Sequence, residues 1–164
     1  MEDKTLMRRA IELINNCYTM TLAVSNKRKA WATPVYYLFH KGNFFFFSSP
    51  KSRHIVDGMG CYEVGASIYQ DSHSWQEIRG IQMAGKIEMI KNPLLINEVF
   101  KKYLKKFPTT KELIPLSVKD ITAFLKNFRV KLYCFIPIII YYLDNEVYFG
   151  FRKEINLNEF SSLK

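Results

Sequence analysis

Cysteine is scarce in this chain, with three among 164 residues. Cys17, Cys61 and Cys134 stand far apart, and none of them belongs to a C-x-x-C pair or has a neighbouring histidine at metal-ligand spacing. The sequence therefore does not support a disulfide framework, and we predict no metal site.

A secretion signal and a membrane-spanning run are also missing from the sequence. The opening residues, MEDKTLMRRAIELINN, carry charges where a signal peptide needs an apolar stretch. The longest apolar stretch, residues 130–143, contains Lys131 and Pro137 and is shorter than the ~20 residues that cross a hydrocarbon core. We expect a cytoplasmic protein with no membrane segment, and we interpret residues 130–143 as a buried strand.

Familiar catalytic motifs are absent as well. The sequence contains no Ser-His-Asp order, no paired-carboxylate motif and no Walker loop, so hydrolysis and nucleoside-triphosphate chemistry have no support. No general acid or base stands out, and the catalytic residues stay unknown at this stage.

Acidic residues are outnumbered, 15 against 24 Lys and Arg, and the formal net charge is +9. This balance allows nucleic acid, an anionic membrane or a phosphorylated small molecule as a partner. The cations form short clusters scattered over the chain, which is more typical of a solvated surface than of a nucleic-acid stripe. We rank nucleic acid as the least favoured partner.

Hydrophobic residues make up 48% of the chain, enough apolar surface for one core, and we predict a single domain over residues 1–164. Helical spacing predicts helices over residues 4–15, after Ser52, from Pro93 to about residue 107, and over residues 119–126. Alternating or β-rich segments predict strands at residues 18–25, 30–39, 44–47, 62–70, 77–90, 129–143 and 147–155.

The strands are short and are separated by turn-forming residues, which favours antiparallel hairpins. Closing such a sheet into a barrel removes its exposed edges. Gly80 and Gly85 inside a long strand indicate a bulge or a close approach of another backbone. The predicted fold class is mainly β (α+β), an antiparallel barrel of six to seven strands with flanking helices.

The strongest local signal is a polar loop between the predicted strand 44–47 and the helix that follows it. Hydroxyl groups and cations are concentrated there in Ser48, Ser49, Lys51, Ser52, Arg53 and His54. Hydroxyl donors and a fork-shaped guanidinium together suit a phosphate group. An ordinary capped helix with exposed cations explains the same spacing equally well.

The segment FFSSPKSRH in this loop resembles the F-Y-T-N-x-x-S-R-K segment of pyridoxamine phosphate oxidase and its relatives, the split-barrel flavoproteins. The resemblance covers about residues 18–91. It implies a split β-barrel, flavin mononucleotide (FMN) as cofactor, and a homodimer with the flavin between the protomers. It also places Ser48, Ser52, Arg53 and His54 on the flavin phosphate, with His54 standing where the family usually has Lys.

The same resemblance implies which strands line the flavin ring. The residues Thr33, Pro34, Val35 and Tyr36 correspond to the strand that runs along the ring. The segment RGIQMAG, which contains Gln82, resembles a later strand of the barrel. We therefore expect Gln82 to belong to the cofactor site.

Other features of the oxidase are missing. Its strand arginine is replaced by Thr33 or Pro34, a flavin-contacting Gln by Gly80, and its terminal segment with Trp and Arg has no counterpart. The expected function is therefore an FMN-binding flavoprotein, in its enzymatic form an NAD(P)H-dependent oxidoreductase of an unknown small molecule. The alternative is a non-catalytic protein that stores or senses a flavin or haem, with His40 and His73 as candidate haem ligands; a deazaflavin is a further alternative cofactor.

Overall fold

A computed structural model describes residues 3–109 and 121–157 of the chain. Four helices lie in this part, in chain order α1 Asp3–Asn16, α2 Arg53–Gly58, α3 Pro93–Lys106 and α4 Ile121–Asn127. The strands are β1 Thr19–Asn26, β2 Lys29–Tyr36, β3 Leu38–His40, β4 Asn43–Ser48, β5 Val64–Tyr69, β6 Arg79–Met89, β7 Lys131–Asp144 and β8 Arg152–Glu154. A 3-10 turn covers Trp75–Glu77.

The strands form one antiparallel sheet in the order β2-β1-β5-β6-β7-β4-β3, and the short β8 pairs with β7. The two strands at the ends of this order, β2 and β3, are joined by Tyr37 alone. The sheet therefore curls until its ends approach each other, and β2 contacts β4. This is the split-barrel architecture, which confirms the predicted fold class.

Residues 30–39, predicted as one strand, are two strands divided at Tyr37. The Tyr37 ring is fully buried, its backbone N–H donates to the Tyr18 carbonyl at 3.2 Å, and its hydroxyl donates to the Ile14 carbonyl. Burial also raises the pKa of this phenol. These contacts turn the chain out of β2 and into β3.

The strand predicted at residues 147–155 is shorter in the structure. Only Arg152–Glu154 pair with β7, because the chain first makes a compact turn in which Gly150 has a φ of 77°. The Asn145 side chain accepts from the Gly150 N–H and holds this turn. The helix predicted over residues 119–126 begins outside the described residues and appears as α4 from Ile121.

Four consecutive phenylalanines, residues 44–47, predict a strand that is covered on both faces, and the structure confirms this. Phe44 and Phe46 face the barrel interior and belong to the main core. Phe45 and Phe47 point the other way, where Phe47 makes an edge contact with Tyr103 of α3 at 5.0 Å between ring centroids. The helices α3 and α4 thus cover the outer face of the sheet where β4 lies.

The other half of the outer face carries small and polar side chains. Alternate residues of β2, namely Ala30, Ala32, Pro34 and Tyr36, point outward and are exposed. Register aligns Ala32 with Ala23, and on the neighbouring strands Gly65 with Ala84. This row places no large side chain across β2, β1, β5 and β6, and we call the surface around it the flat face.

No helix within the described ranges combines the length and apolar character needed to cross a membrane.

Gly85 confirms the predicted bulge. Pairing of β6 with β7 shifts between Ala84 and Gly85, so that Ala84 pairs with Ile139 and Gly85 with Pro137. A Cβ atom on Gly85 would lie 2.9 Å from the Phe135 ring and in direct collision with the Ile136 carbonyl. The backbone strands approach too closely here for any side chain.

Gly85→Ala is therefore expected to lower the free energy of unfolding by about 3 kcal/mol, because the added methyl group must displace backbone atoms. Gly60→Ala is the matched control, since a Cβ there meets only the Asp57 carbonyl at 3.8 Å. Urea denaturation of both variants measures the difference. Equal stabilities would show that the strand crossing at Gly85 is not as close as described.

Candidate functional site

The polar loop places two of its predicted phosphate ligands in the interior. Ser48 and His54 each retain 7% of their accessible surface, and Ser48 Oγ lies 2.8 Å from His54 Nε2. Burial lowers the pKa of His54, which favours the neutral imidazole. The Ser48 hydroxyl and the His54 ring bond to each other, so His54 contributes no exposed cation here.

Ser49, Lys51 and Ser52 form the outer part of the loop. Ser52 Oγ lies 3.5 Å from Ser48 Oγ, so the buried pair lies directly beneath it. Ser49 Oγ accepts from the Lys51 backbone N–H at 3.3 Å, and the Lys51 side chain is exposed. The loop thus presents hydroxyl groups and one cation at its surface.

Arg53 is turned toward the β1–β2 hairpin. Its Nε donates to Asp57 Oδ2 at 3.2 Å, and its guanidinium lies 4.6 Å from the centroid of the Trp31 ring. The Asn26 side-chain amide donates to Asp57 Oδ1 at 2.7 Å. This amide, and then Arg53, lower the pKa of Asp57, so the carboxylate that holds Arg53 stays ionised.

Asn26, Arg53 and Asp57 line a cleft of about 290 Å³ together with Lys27 and Lys29. Lys27 and Arg28 form a two-residue hairpin turn, with φ of 46° and 65°, which ends β1 and begins β2. The turn brings Lys29 and Lys27 to the first residue of α2, Arg53. Three cations and one carboxylate make the cleft positive, and it can attract an anion. We call it the Arg53 cleft.

Sequence reasoning did not predict this cleft. The cluster Lys27-Arg28-Lys29 is typical of a solvated surface, and nothing in the sequence places it beside Arg53. The available signal was a turn of adjacent cations between two β-rich segments, which predicts a hairpin. The pairing of β1 with β2 fixes where the cations of this hairpin lie.

The predicted ring strand is divided between the two faces of the sheet. Val35 is buried and Thr33 half-buried on the inner side, whereas Pro34 and Tyr36 lie on the outer side. Gln82 of β6 is also on the outer side, in the register row Pro34, Thr21, Ser67, Gln82. At ~4.8 Å between neighbouring strands, Pro34 and Gln82 are about 14 Å apart.

The two histidines considered as haem ligands have different surroundings. His40 Nε2 lies 2.9 Å from Glu98 and the ring also contacts the Lys102 amine. Burial, and then Lys102, lower the pKa of His40. His73 is exposed in the segment between β5 and the 3-10 turn. The structure therefore leaves His73 as the accessible imidazole of the two.

Titration of His54 is expected to contribute to the pH dependence of stability. Its pKa is lowered in the folded state, so below about pH 6.5 the unfolded chain binds a proton that the folded chain does not. The free energy of unfolding should fall as the pH drops from 7.5 to 5.5. His54→Gln keeps a hydrogen-bonding partner for Ser48 and should remove this part of the decrease.

Urea denaturation at the two pH values measures the effect, and His40 is present in both proteins and cancels in the comparison. An identical decrease in wild type and variant would contradict a buried neutral His54.

No family model and no curated protein matches the chain. Solved structures, in contrast, match it with high structural similarity. A haem-binding protein from Mycobacterium smegmatis has a TM-score of 0.70 at 14% identity, with 96% of this chain and 60% of that chain covered. The haem storage protein HutZ of Vibrio cholerae has a TM-score of 0.62 at 14% identity, with 80% and 89% covered. An FAD-binding protein from Mesorhizobium loti has a TM-score of 0.60 at 10% identity, with 81% and 90% covered.

These neighbours are split-barrel proteins of the pyridoxamine phosphate oxidase-like type. Identities this low show the fold alone, so they confirm the expected architecture and leave the ligand open. The chain spans 60% of the length of the mycobacterial protein.

Proposed function

We propose that this split-barrel chain is an FMN-binding flavoprotein whose Arg53 cleft holds the phosphate end of the cofactor. The observation that carries the proposal is the positive cleft between the β1–β2 hairpin and the first turn of α2, which follows the polar loop. The residues that would bind the phosphate are Ser52 and Arg53, with Ser49 and Lys51 beside them.

The chemistry of the cleft suits a phosphate. Arg53 is already oriented by Asp57 and by the Trp31 ring, and the Asp57 bond uses Nε, which leaves the terminal nitrogens for a second anion. Lys27 and Lys29 add positive charge without a carboxylate partner among the described ion pairs. The Ser48–His54 pair would act from below, by keeping Ser52 in place.

The strand β2 leads from this cleft toward the predicted ring residues. Trp31 lies near its beginning and Tyr36 at its end, about 16 Å apart at ~3.3 Å per residue. Because β2 stands at one end of the sheet order, a ligand along it can touch both the cleft and the flat face. Pro34 and Tyr36 are the ring-strand residues whose side chains reach that face, and Gln82 lies farther across it.

A bound flavin would supply the redox chemistry, and the chain would bind and orient it and shield one side of the ring. The enzymatic form of the proposal is an NAD(P)H-dependent oxidoreductase of a small molecule. Anaerobic addition of NADPH to the flavin-loaded protein tests it. Loss of the flavin absorbance supports a reductase, and unchanged absorbance supports a non-catalytic flavin carrier. A deazaflavin in place of FMN would differ in its absorbance.

Arg53→Ala should weaken FMN binding by ~1.5–3 kcal/mol, or about 10- to 150-fold in Kd, because a charge-assisted hydrogen bond to the phosphate is lost. Riboflavin has no phosphate, so its Kd should hardly change. Flavin fluorescence quenching measures both ligands.

Arg8→Ala is the matched control, since it removes the same charge from an exposed position on α1. Equal losses for FMN and riboflavin in Arg53→Ala, or the same loss in Arg8→Ala, would contradict a phosphate at the Arg53 cleft.

Haem binding is the second candidate function. It is favoured by two of the similar solved structures, which are a haem-binding and a haem storage protein. The exposed His73 is the candidate ligand on this chain. The absorbance of the purified protein separates the candidates: flavin bands support FMN, whereas a Soret band at about 400 nm that is lost in His73→Ala supports haem.

We further propose that the flat face pairs with the same face of a second copy. Its small residues permit close approach of two sheets, and Tyr36 and Tyr69, 59% and 65% exposed, offer apolar contact area at its margin. An isologous pairing of this kind places two cofactor sites symmetrically at the interface.

Ala23→Arg is expected to shift a dimer toward the monomer, because it places a long, positively charged side chain in the middle of the flat face, opposite the same charge of the second copy. Asn97→Arg, at an exposed position of α3, adds the same charge away from the flat face and serves as control. Sedimentation velocity gives the mass of each. A dimer that persists in Ala23→Arg would place the interface elsewhere.

A further inference from the structure

Lys106, in the last turn of α3, has surroundings unlike those of a surface lysine. Its Nζ lies 4.1 Å from the centroid of the Tyr37 ring, with the rings of Tyr18 and Phe107 at 5.9 and 5.8 Å. The amine donates to the Cys17 carbonyl at 2.8 Å. Across residues 3–109 and 121–157, no carboxylate forms an ion pair with it, whereas Lys102 is paired with Glu98.

Two opposing effects act on the charge of this amine. Desolvation disfavours the ammonium form and lowers the pKa of Lys106 to about 8, well below the usual value of a lysine. The aromatic rings favour the cation and oppose this change. The Cys17 side chain also opposes the change but has a smaller effect on this pKa than burial does, so a larger share of Lys106 is neutral at physiological pH than of an exposed lysine. Desolvation in an apolar pocket is how proteins make a lysine nucleophilic.

The aromatic wall around Lys106 extends to the surface. Phe107 contacts Tyr18 and Tyr36, with ring centroids 5.8 and 5.3 Å apart. Tyr18 is 57% and Tyr36 59% exposed. A flat ring can therefore stack on Tyr18 next to the amine, and such stacking favours an aromatic over an aliphatic ligand.

We propose that Lys106 is a covalent binding site for small aromatic aldehydes, with the cage of Tyr18, Tyr37 and Phe107 around its amine. The amine nitrogen attacks the carbonyl carbon, one molecule of water leaves, and a C=N bond replaces the C=O bond. No oxidant or reductant takes part, and hydrolysis reverses the step. The site does not depend on a bound flavin.

The test uses the full chain with 2-hydroxybenzaldehyde as probe. Sodium cyanoborohydride traps the imine as a secondary amine, and peptide mass spectrometry quantifies the label on each lysine over a range of pH. Lys106 should be labelled at least about tenfold faster than Lys105 at pH 7.5, with a rate midpoint near its lowered pKa of about 8.

Two matched variants identify the amine. Lys106→Arg keeps the charge and a donor for the Cys17 carbonyl and should abolish the fast label, whereas Lys105→Arg, one residue earlier and exposed, should keep it. If Lys106→Arg does not fold, the map of labelled lysines in the wild type decides alone. Tyr18→Leu, which retains the amine, should reduce the preference for 2-hydroxybenzaldehyde over butanal.

Label spread evenly over the surface lysines, or a Lys106 rate that rises with pH as that of Lys105 does, would overturn the proposal. Equal labelling by butanal and the aromatic aldehyde would overturn its ligand class. FMN titration of Lys106→Arg is a separate readout, so a failure here leaves the flavin proposal unaffected, and the reverse also holds.

Discussion

The structure depends on one constraint, which is that the sheet must curl far enough to join its two ends through a single residue. Tyr37 links β2 to β3, the outermost strands of the sheet order, and is itself fully buried. Its hydroxyl donates to Ile14 in the last turn of α1, and its backbone N–H donates to Tyr18 just before β1. The curl encloses the inner faces of β1, β4, β6 and β7 in one core, because an open sheet would leave that apolar surface in water.

The alternation of side chains along each strand then determines which of the polar residues can meet a ligand. Thr33 and Val35 face the interior while Pro34 and Tyr36 face outward, so a contiguous ring strand cannot present all four side chains to one molecule. Ser48 is the last inward-facing residue of β4, and its hydroxyl is hydrogen-bonded to the buried His54. What remains accessible is the outer loop around Ser52 and the guanidinium of Arg53, beside the hairpin lysines.

The same type of charge has two different roles in this molecule. In the Arg53 cleft the cations are solvated, and among the described ion pairs only Arg53 is paired with a carboxylate, so their net field favours an anion. At Lys106 the cation is partly desolvated among aromatic rings and bonds to a carbonyl, so the neutral amine becomes accessible. The overall charge of +9 describes neither site, because each depends on what surrounds the cation.

The sequence by itself determined the local features. These include the helices that became α1 and α3, the two-sided burial of the phenylalanine run, the backbone crowding at Gly85, and the polar loop as a candidate anion site. Each follows from the spacing or composition of neighbouring residues. Tertiary structure alone decided that Tyr37 divides a strand, that His54 is buried and neutral, that the hairpin lysines meet Arg53, and that Lys106 of α3 reaches Cys17. These contacts join segments distant in the chain, and they form only when burial of apolar surface compensates the entropy of closing the intervening loops, which no local pattern encodes.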